Sequence, residues 1–320
     1  MKSVYLILGL VLFIHTANGW WLQASFEGGH FFDNFDFFNA DDPTHGYVNY
    51  VDAGTAWNRG YVRIDNNVAI ISPNTQDAAD GRGRDAVRLH SKMRVSSGSI
   101  VIADVAHMPT GCGTWPAFWM CGDNWPHQGE IDIVEGVNNQ NFNQMTLHTD
   151  GGCQMDPGQA WQFSGHWASN IAGGPSSNCD VNAAGQYANA GCGIIGAQDS
   201  YGDGFNKNGG GVFATVWTDS EISIYHFPRW AIPGDIQSQN PNPAGWGQPM
   251  AKFQIGDNCP GSHFGPQQII INLTFCGDWA GGVFGQMCGG LGNCNDYVRW
   301  NPGAFNEAFW AFNSIKIYRA

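Results

Sequence analysis

Three acidic residues lie within one short segment, Glu130–Glu135, whose sequence is EIDIVE. The isoleucines and the valine favour β-structure, so the segment predicts a strand. Side chains alternate between the two faces of a strand, so Glu130 and Asp132 share a face and Glu135 would point to the other. A one-residue β-bulge after Asp132 would return Glu135 to the first face. The pattern therefore predicts three carboxyl groups on one side of a bulged strand.

The two glutamates of this segment are suited to the cleavage of a glycosidic bond. With the bulge they are effectively four strand positions apart, so their backbones are separated by about 13 Å. Side chains that lean inward can reduce this to the ~5 Å typical of retaining glycosidases. Asp132 between them disfavours joint ionisation, which keeps one carboxyl protonated near neutral pH. A solvated acidic strand face and a calcium site built from the same acids are the alternatives.

The elements that must hold these residues are predicted to be strands from end to end. Apolar, β-branched runs recur along the chain, whereas helical periodicity is nearly absent. The predicted strands are residues 47–51, 61–72, 86–95, 99–107, 131–135, 145–149, 268–275 and 314–318, with a hairpin formed by 212–217 and 221–227. One helix is predicted from Asn301-Pro302 to about Phe312, because proline is favoured at the first helical position. The stretch 151–211, rich in Gly, Asn and Ser, is predicted to form loops closed by disulfides.

Composition restricts the partners of the chain. Its net charge of -13, with only 14 Lys and Arg, argues against a nucleic acid, which is bound through clustered cations. A neutral polymer fits better, because 14 Trp, 9 Tyr and 20 Phe beside 44 Gly supply flat apolar faces on which sugar rings stack. A large all-β core that uses aromatic residues for packing explains the same composition.

The beginning of the chain and its cysteines indicate export. Residues 1–19 have the pattern of a signal peptide, with Lys2, an apolar run over 4–14, and small residues before Trp20. We expect residues 20–320 to form one secreted catalytic domain, a monomer that does not enter the membrane. Nine cysteines in an exported chain imply disulfides and leave at least one thiol without an intrachain partner. The histidines are scattered and no Cys or His pairs have zinc spacing, so neither a metal nor an organic cofactor is expected.

The strand Glu130–Glu135 matches the E-[ILV]-D-[IV]-[IV]-E signature of glycoside hydrolase family 16. The chain resembles fungal laminarinases of this family over most of its length. Four further stretches carry the resemblance: 42–52, 111–116, 145–149 and 270–281. The resemblance implies an all-β jelly-roll sandwich of two antiparallel sheets, whose concave sheet forms a cleft for a β-glucan chain. It also implies retaining endo-hydrolysis of β-1,3-glucan, with 1,6-branched and mixed 1,3/1,4-linked glucans left open as substrates.

The resemblance also implies roles for individual residues. Glu130 would be the nucleophile, Asp132 would tune protonation, and Glu135 would be the general acid/base. The substrate contacts implied by the family pattern are Asn49, Arg88, Trp119, Trp125, His148 and Trp279. Each of these six also has a simpler explanation in core packing or a buried ion pair.

The sequence departs from the family pattern at Cys121, which stands where these laminarinases have a polar residue. This departure suggests that Cys121 is the odd thiol. Asn272-Leu273-Thr274 satisfies the N-glycosylation pattern, but it falls within a predicted interior strand. Two other functions remain open. A non-catalytic glucan-binding lectin would share the cleft but has no need of both glutamates, and a β-glucan transglycosylase would retain them.

Overall fold

Two eight-stranded antiparallel sheets form the body of the protein in the computed structural model, which describes residues 19–320. A short parallel pair of strands, residues 48–50 and 84–86, lies beside them. The strands, in chain order, are β1 (Trp21–Glu27), β2 (Phe35–Phe38), β3 (Val48–Tyr50), β4 (Val62–Asp65), β5 (Val68–Ile71), β6 (Arg84–Ala86), β7 (Arg88–Val95), β8 (Ser99–His107), β9 (Thr114–Gly122), β10 (Glu130–Glu135), β11 (Phe142–His148), β12 (His166–Trp167), β13 (Cys192–Gln198), β14 (Gly211–Trp217), β15 (Glu221–Pro228), β16 (Ala251–Gln254), β17 (Gln267–Phe275) and β18 (Trp310–Arg319).

The strand that carries the three acids lies in the middle of one of these sheets. This front sheet has the order β12-β13-β11-β10-β9-β17-β7-β2. The back sheet has the order β16-β15-β14-β8-β18-β5-β4, and β1 also pairs with β18. The two sheets form the sandwich predicted from the sequence, with each long strand antiparallel to its neighbours.

The main core fills the space between the sheets. Ile131 of β10 and Phe118 of β9 project into it from the front sheet, and Val101 of β8 and Phe213 of β14 from the back sheet. The opposite face of the back sheet is also covered, because Ile236 and other apolar residues of the segment between β15 and β16 pack on it. Strands buried on both faces are apolar at nearly every position, which explains the continuous apolar runs in the sequence.

The helices are short and lie in the connections. They are α1 (Ala53–Asn58), α2 (Gly202–Lys207), α3 (Gly234–Gln237), α4 (Gly282–Met287) and α5 (Cys294–Trp300), together with 3₁₀ turns and a π-helical turn at Gly277–Gly281. Within residues 19–320 we find no helix long and apolar enough to cross a membrane. The predicted signal peptide, residues 1–19, lies outside the described residues apart from Gly19.

The helix predicted from Asn301 to Phe312 is wrong. Pro302–Phe305 forms a single 3₁₀ turn, and strand β18 begins at Trp310. Trp310 and Phe312 are completely buried in the main core, and their spacing of two places both on the core face of the strand. Burial of these two large rings outweighs the local start signal of Asn301-Pro302.

Two other predictions need smaller corrections. Residues 61–72 form two strands, β4 and β5, because Asn66 and Asn67 adopt positive φ angles in a tight turn. Residues 151–211 are not only loops, since they contain β12, β13 and α2. The predicted hairpin of 212–217 and 221–227 is confirmed as β14 and β15.

Four disulfides close the connections at the ends of the front sheet. They join Cys112 to Cys288, Cys153 to Cys259, Cys179 to Cys192 and Cys276 to Cys294. All nine cysteines lie within residues 19–320, and Cys121 is the one without a disulfide. This agrees with its prediction as the odd thiol.

We predict that one thiol per chain reacts with a maleimide under denaturing, non-reducing conditions, and that it is Cys121. In the native protein the reaction should be slow, because burial and the nearby carboxyls of Glu130 and Asp132 raise the pKa of the Cys121 thiol and disfavour the reactive thiolate. Mass spectrometry of peptides from the labelled protein measures this, with Cys121→Ser as the unlabelled control. A label on any other cysteine would refute the pairing.

Candidate active site

The predicted β-bulge is present in β10. Glu130 lies opposite Cys121 of β9 and Asp132 lies opposite Trp119, but the register then shifts by one residue between Asp132 and Val134. The inserted residue is Ile133, and both Ile133 and Val134 are completely buried in the core. Two consecutive core residues restore the phase of the strand, so Glu130, Asp132 and Glu135 share the face opposite the core.

The side chain of Asn143, on the neighbouring strand β11, spans this bulge. Its Oδ1 accepts a hydrogen bond from the backbone N–H of Glu135 at 2.9 Å, and its Nδ2 donates to the carbonyl of Ile133 at 2.7 Å. Direct pairing between β10 and β11 covers only 130–132, so Asn143 satisfies backbone groups that the bulge leaves without a strand partner. Asn143 is fully buried, which makes these bonds costly to lose. It therefore fixes the backbone from which Glu135 projects.

The three carboxyl groups have raised pKa values. Burial, followed by repulsion from Asp132, raises the pKa of Glu130 to about 8. Burial and the charge of Glu135 raise the pKa of Asp132 well above its usual range. Burial also raises the pKa of Glu135, against the opposing hydrogen bond from the Trp115 indole. Like charges in a shared low-dielectric site cannot all ionise, so the cluster retains a proton at neutral pH.

Two side chains contact the carboxylates from adjoining strands. Trp115 on β9 donates from Nε1 to Glu135 Oε1 at 2.9 Å, which leaves Oε2 free to carry a proton. His148 on β11 lies opposite Glu130, and its Nε2 is 3.1 Å from Asp132 Oδ2. His148, which was predicted as a substrate contact, lies beside the acidic cluster, whereas Trp115 was not among the predicted site residues.

The acidic cluster also has the composition of a possible metal site. One ligand atom each from Glu130, Asp132 and His148 lie within 4.8 Å of one another, the only such group in the part of the chain described. Calcium takes six to eight oxygen ligands, and this group offers two carboxylates and one nitrogen. The calcium alternative therefore fits these residues poorly.

Trp119 forms the next part of the same face. Its Nε1 donates to Asn272 Oδ1 at 2.8 Å, and Asn272 Nδ2 donates to the Tyr50 hydroxyl at 3.2 Å. The Arg88 guanidinium lies 5.1 Å from the centre of the Trp119 ring and 4.7 Å from that of Phe38. These contacts fix the Trp119 indole and keep the buried Arg88 beside it.

Asn272 is a site residue that the sequence concealed. It belongs to the N-glycosylation pattern, yet only 6% of it is exposed and both ends of its side-chain amide are hydrogen-bonded. A glycan attached to Nδ2 would break the contact with Tyr50, so the folded site excludes this modification. Alternation with the core residues Ile271 and Leu273 was the available signal that Asn272 faces a different environment.

The other predicted contacts lie around this face. Trp279, in the π-helical turn, packs edge-on against Trp115 with ring centres 5.8 Å apart. Asn49 lies on β3 and donates to Asp85 Oδ1 at 2.6 Å. Trp125 is 42% exposed and lies in the connection between β9 and β10. Among the described residues, no hydrogen bond joins Asn49 or Trp125 to the carboxylates, so their predicted roles depend on bound substrate.

Comparison with known proteins agrees with this geometry. The profile of the XgeA-like catalytic GH16 domain matches residues 35–318. The chain belongs to glycoside hydrolase family 16. An endo-1,3(4)-beta-glucanase from Arthroderma benhamiae is 42% identical over 98% of this chain and 68% of the relative. The endo-1,3(4)-beta-glucanase xgeA from Emericella nidulans is 38% identical over 95% of this chain and 48% of its own length.

Solved structures of family 16 proteins extend the comparison. Laminarinase 16A from Phanerochaete chrysosporium, solved with 6-O-glucosyl-laminaritriose in donor and acceptor sites, is 40% identical with a TM-score of 0.86. The alignment covers 94% of this chain and 99% of that one. An elongating family 16 beta-1,3-glucosyltransferase is 39% identical with a TM-score of 0.84, covering 93% and 99%. Both neighbours share the jelly roll, so the fold class predicted from the sequence is confirmed.

We predict that Glu130→Gln stabilises the protein increasingly as pH rises. The pKa of Glu130 is about 8 in the folded state and 4.5 for an ordinary glutamate, so the folded protein binds more protons between these values. The free energy of unfolding of the wild type therefore falls as pH rises through this window. The glutamine variant has no such loss, and its Tm should exceed that of the wild type at pH 8 by at least about 3 °C.

Thermal unfolding at several pH values between 4 and 8 measures this difference. Asp41→Asn, which neutralises an exposed carboxylate, is the control and should show no gap that widens with pH. A constant difference between Glu130→Gln and wild type across the range would contradict the prediction.

Proposed function

We propose that this protein is a retaining endo-β-1,3-glucanase that uses Glu130 as nucleophile and Glu135 as general acid/base. The observation that carries the proposal is the bulge in β10, which puts both glutamates on one face of the front sheet beside a carboxyl cluster that holds a proton. A non-catalytic lectin gains nothing from burying three carboxyl groups, because their desolvation costs stability.

The reaction proceeds in two displacements. The ionised carboxylate of Glu130 attacks the anomeric carbon, while Glu135 donates its proton to the departing glycosidic oxygen. The bond from the anomeric carbon to that oxygen breaks, and a covalent glycosyl-enzyme ester forms. Glu135 then removes a proton from water, whose oxygen attacks the same carbon and releases Glu130. Two inversions leave the β-configuration of the product unchanged.

Asp132 makes this division of roles possible. It is almost fully buried between the two glutamates, and its pKa is raised together with that of Glu130, so the two carboxyls share a proton. When this proton moves to Asp132, Glu130 becomes the ionised nucleophile without a second adjacent charge. His148 lies opposite Glu130 and can lower the pKa of Glu130 and Glu135 when it is charged. Asp132 and His148 thus tune protonation on both sides of the reacting bond.

A neutral glucan fits the surface beside these carboxylates. Trp119, Trp125 and Trp279 supply apolar ring faces for sugar C–H groups, and Arg88 and Asn49 supply donors for hydroxyls. Relatives named endo-1,3(4)-beta-glucanase and the laminarinase solved with 6-O-glucosyl-laminaritriose support a β-1,3-glucan, including one with 1,6 branches. Mixed 1,3/1,4 linkages are included in the names of the former relatives.

Transfer to a second sugar is the alternative reaction. The same glycosyl-enzyme ester can be attacked by a sugar hydroxyl instead of water, and an elongating β-1,3-glucosyltransferase is 39% identical to this chain. The two reactions share every step up to the ester, so they differ in the acceptor that reaches Glu135.

We further propose that residues 1–19 are removed as a signal peptide and that residues 20–320 act outside the cell as one catalytic domain and as a monomer. Four disulfides support an oxidising compartment, in keeping with an extracellular glucanase.

We predict that the purified protein releases a ladder of short oligosaccharides from laminarin, with newly formed ends in the β-anomeric form. Chromatography follows chain length, and proton NMR in the first minutes, before mutarotation, identifies the anomer. Products longer than the substrate would favour transfer. Glucose as the only early product, or an initial α-anomer, would overturn the endo-acting or the retaining assignment.

Variants of the two glutamates test their roles separately. Glu135→Ala should nearly abolish cleavage of laminarin but spare attack on an aryl glycoside, whose leaving group needs no proton. Azide should then accept the sugar from the ester on Glu130 and give the β-glycosyl azide. Glu130→Ala opens space beneath the sugar, so azide inverts the centre once and gives the α-anomer. NMR of the azide products measures the outcome, and reversed anomers would exchange the two roles.

A further inference from the structure

Seven residues, 123–129, connect β9 to β10, and the first six of them, 123–128, are called here the Trp125 loop. The backbone N–H of Gly122 donates to the carbonyl of Gly129 at 3.0 Å and closes the base of the loop. At its start, Arg94 of β7 binds Asp123 through two nitrogens, with contacts of 2.8 to 3.2 Å. Only Gly129 separates the loop from Glu130.

A second tether holds the far side of the Trp125 loop. His127 Nδ1 lies 2.7 Å from Asp150 Oδ2, and His263 Nδ1 lies 2.7 Å from Asp150 Oδ1. An ionised carboxylate only accepts hydrogen bonds, so both imidazoles present an N–H at Nδ1. These bonds lower the pKa of Asp150, with the bond from His127 as the largest cause. The Asp150 carboxylate thus joins the Trp125 loop to His263, which lies in the connection between β16 and β17.

The segment behind Asp150 is held firmly. The disulfide between Cys153 and Cys259 joins the chain just after Asp150 to the chain just before His263. The side chain of His263 is only 14% exposed, whereas that of His127 is 60% exposed. His263 is therefore the buried partner of Asp150, and His127 is the exposed one.

The same segment packs against the entrance to the catalytic strand. Gly129 has a φ of +72°, and a Cβ built there would lie 2.7 Å from the carbonyl oxygen of His263 and 2.5 Å from the ring of Phe264. Only glycine permits this approach. The base of the Trp125 loop is therefore in direct contact with the segment that carries His263.

We propose that Asp150 is a positioning residue: by binding His127 against the braced His263, it holds the Trp125 loop where the Trp125 indole meets the glucan. Asp150 lies two residues beyond His148 and acts through the loop, not on the reacting atoms. This inference rests on the proposed glucanase function and on the stacking of a sugar on Trp125. It assigns a role in substrate affinity to a cluster outside the three catalytic carboxylates.

The first test is Asp150→Asn. The amide carries no negative charge, and its nitrogen can only donate, to an imidazole whose proton has moved to Nε2, so the two charge-assisted bonds to Asp150 are weakened. We expect KM for laminarin to rise about threefold to tenfold, as for the loss of one charge-assisted hydrogen bond at a partly exposed site. The value of kcat should stay within about twofold, and His127→Ala should reproduce the change. Asp33→Asn, which breaks the exposed His30–Asp33 pair, is the matched control and should leave KM unaltered.

A double-mutant cycle then separates positioning from general stability. If Asp150 acts through Trp125, adding Asp150→Asn to Trp125→Ala should cause no further rise in KM. Additive increases, or a rise in KM that disappears once each variant is assayed well below its Tm, would overturn the inference. An unchanged KM for Asp150→Asn in an otherwise active enzyme would also overturn it. A wild-type protein without activity on laminarin would instead contradict the proposed function.

Discussion

The bulge at Ile133 is the constraint on which the site depends. Without it Glu135 would project into the core beside Ile131, and the two glutamates would lie on opposite faces of the sheet. A bulge leaves backbone groups without strand partners, and Asn143 satisfies two of them from the neighbouring strand. A buried amide on the neighbouring strand therefore stabilises the backbone that brings the three carboxyl groups to one face of the sheet.

By bringing three carboxyl groups together, the bulge also lowers the stability of the folded protein. Carboxyl groups on the face of a sheet that is covered by aromatic and loop residues lose hydration, and their mutual repulsion adds to the cost. The surrounding contacts partly offset this cost. Trp115 donates to Glu135, and His148 lies beside Asp132 and opposite Glu130, so each of the three acids has a polar neighbour.

Much of the site could be predicted because it depends on the alternation of side chains along a single strand. Three acids in a β-branched segment are compatible with one face only if a residue is inserted, and the register shift between Asp132 and Val134 is that insertion. Asn143 and Trp115 could not be predicted in the same way, because their roles arise from the pairing of β10 with its neighbours. Sequence spacing carries no information on which residues of separate strands become adjacent.

Contacts between distant parts of the chain also decide the elements that were predicted wrongly. Trp310 belongs to a strand because its ring is buried between the two sheets. The helix-start pattern of Asn301-Pro302 carries no information on that burial. Strand β9 was not predicted at all, although it carries Trp115 and Trp119. Its proline and cysteine interrupt the β-branched pattern typical of a strand. Hydrogen-bonded pairing with β10 on one side and β17 on the other nevertheless holds it in the sheet.

Reduction of the disulfides would loosen the connections around the acidic cluster more than it would loosen the two sheets. Cys112–Cys288 and Cys276–Cys294 hold the end near Glu135, and Cys153–Cys259 and Cys179–Cys192 hold the end near Glu130. Cys153–Cys259 and Cys179–Cys192 pack in the main core, but none of the four disulfides joins a strand of one sheet to a strand of the other. The strands of the sandwich are held by backbone hydrogen bonds and apolar contacts. A chain made in a reducing cytosol could therefore retain a sheet sandwich while the walls that shape its cleft are loosened. Such recombinant protein would have normal secondary structure but low affinity for glucan. The yield of folded protein alone would not reveal this defect.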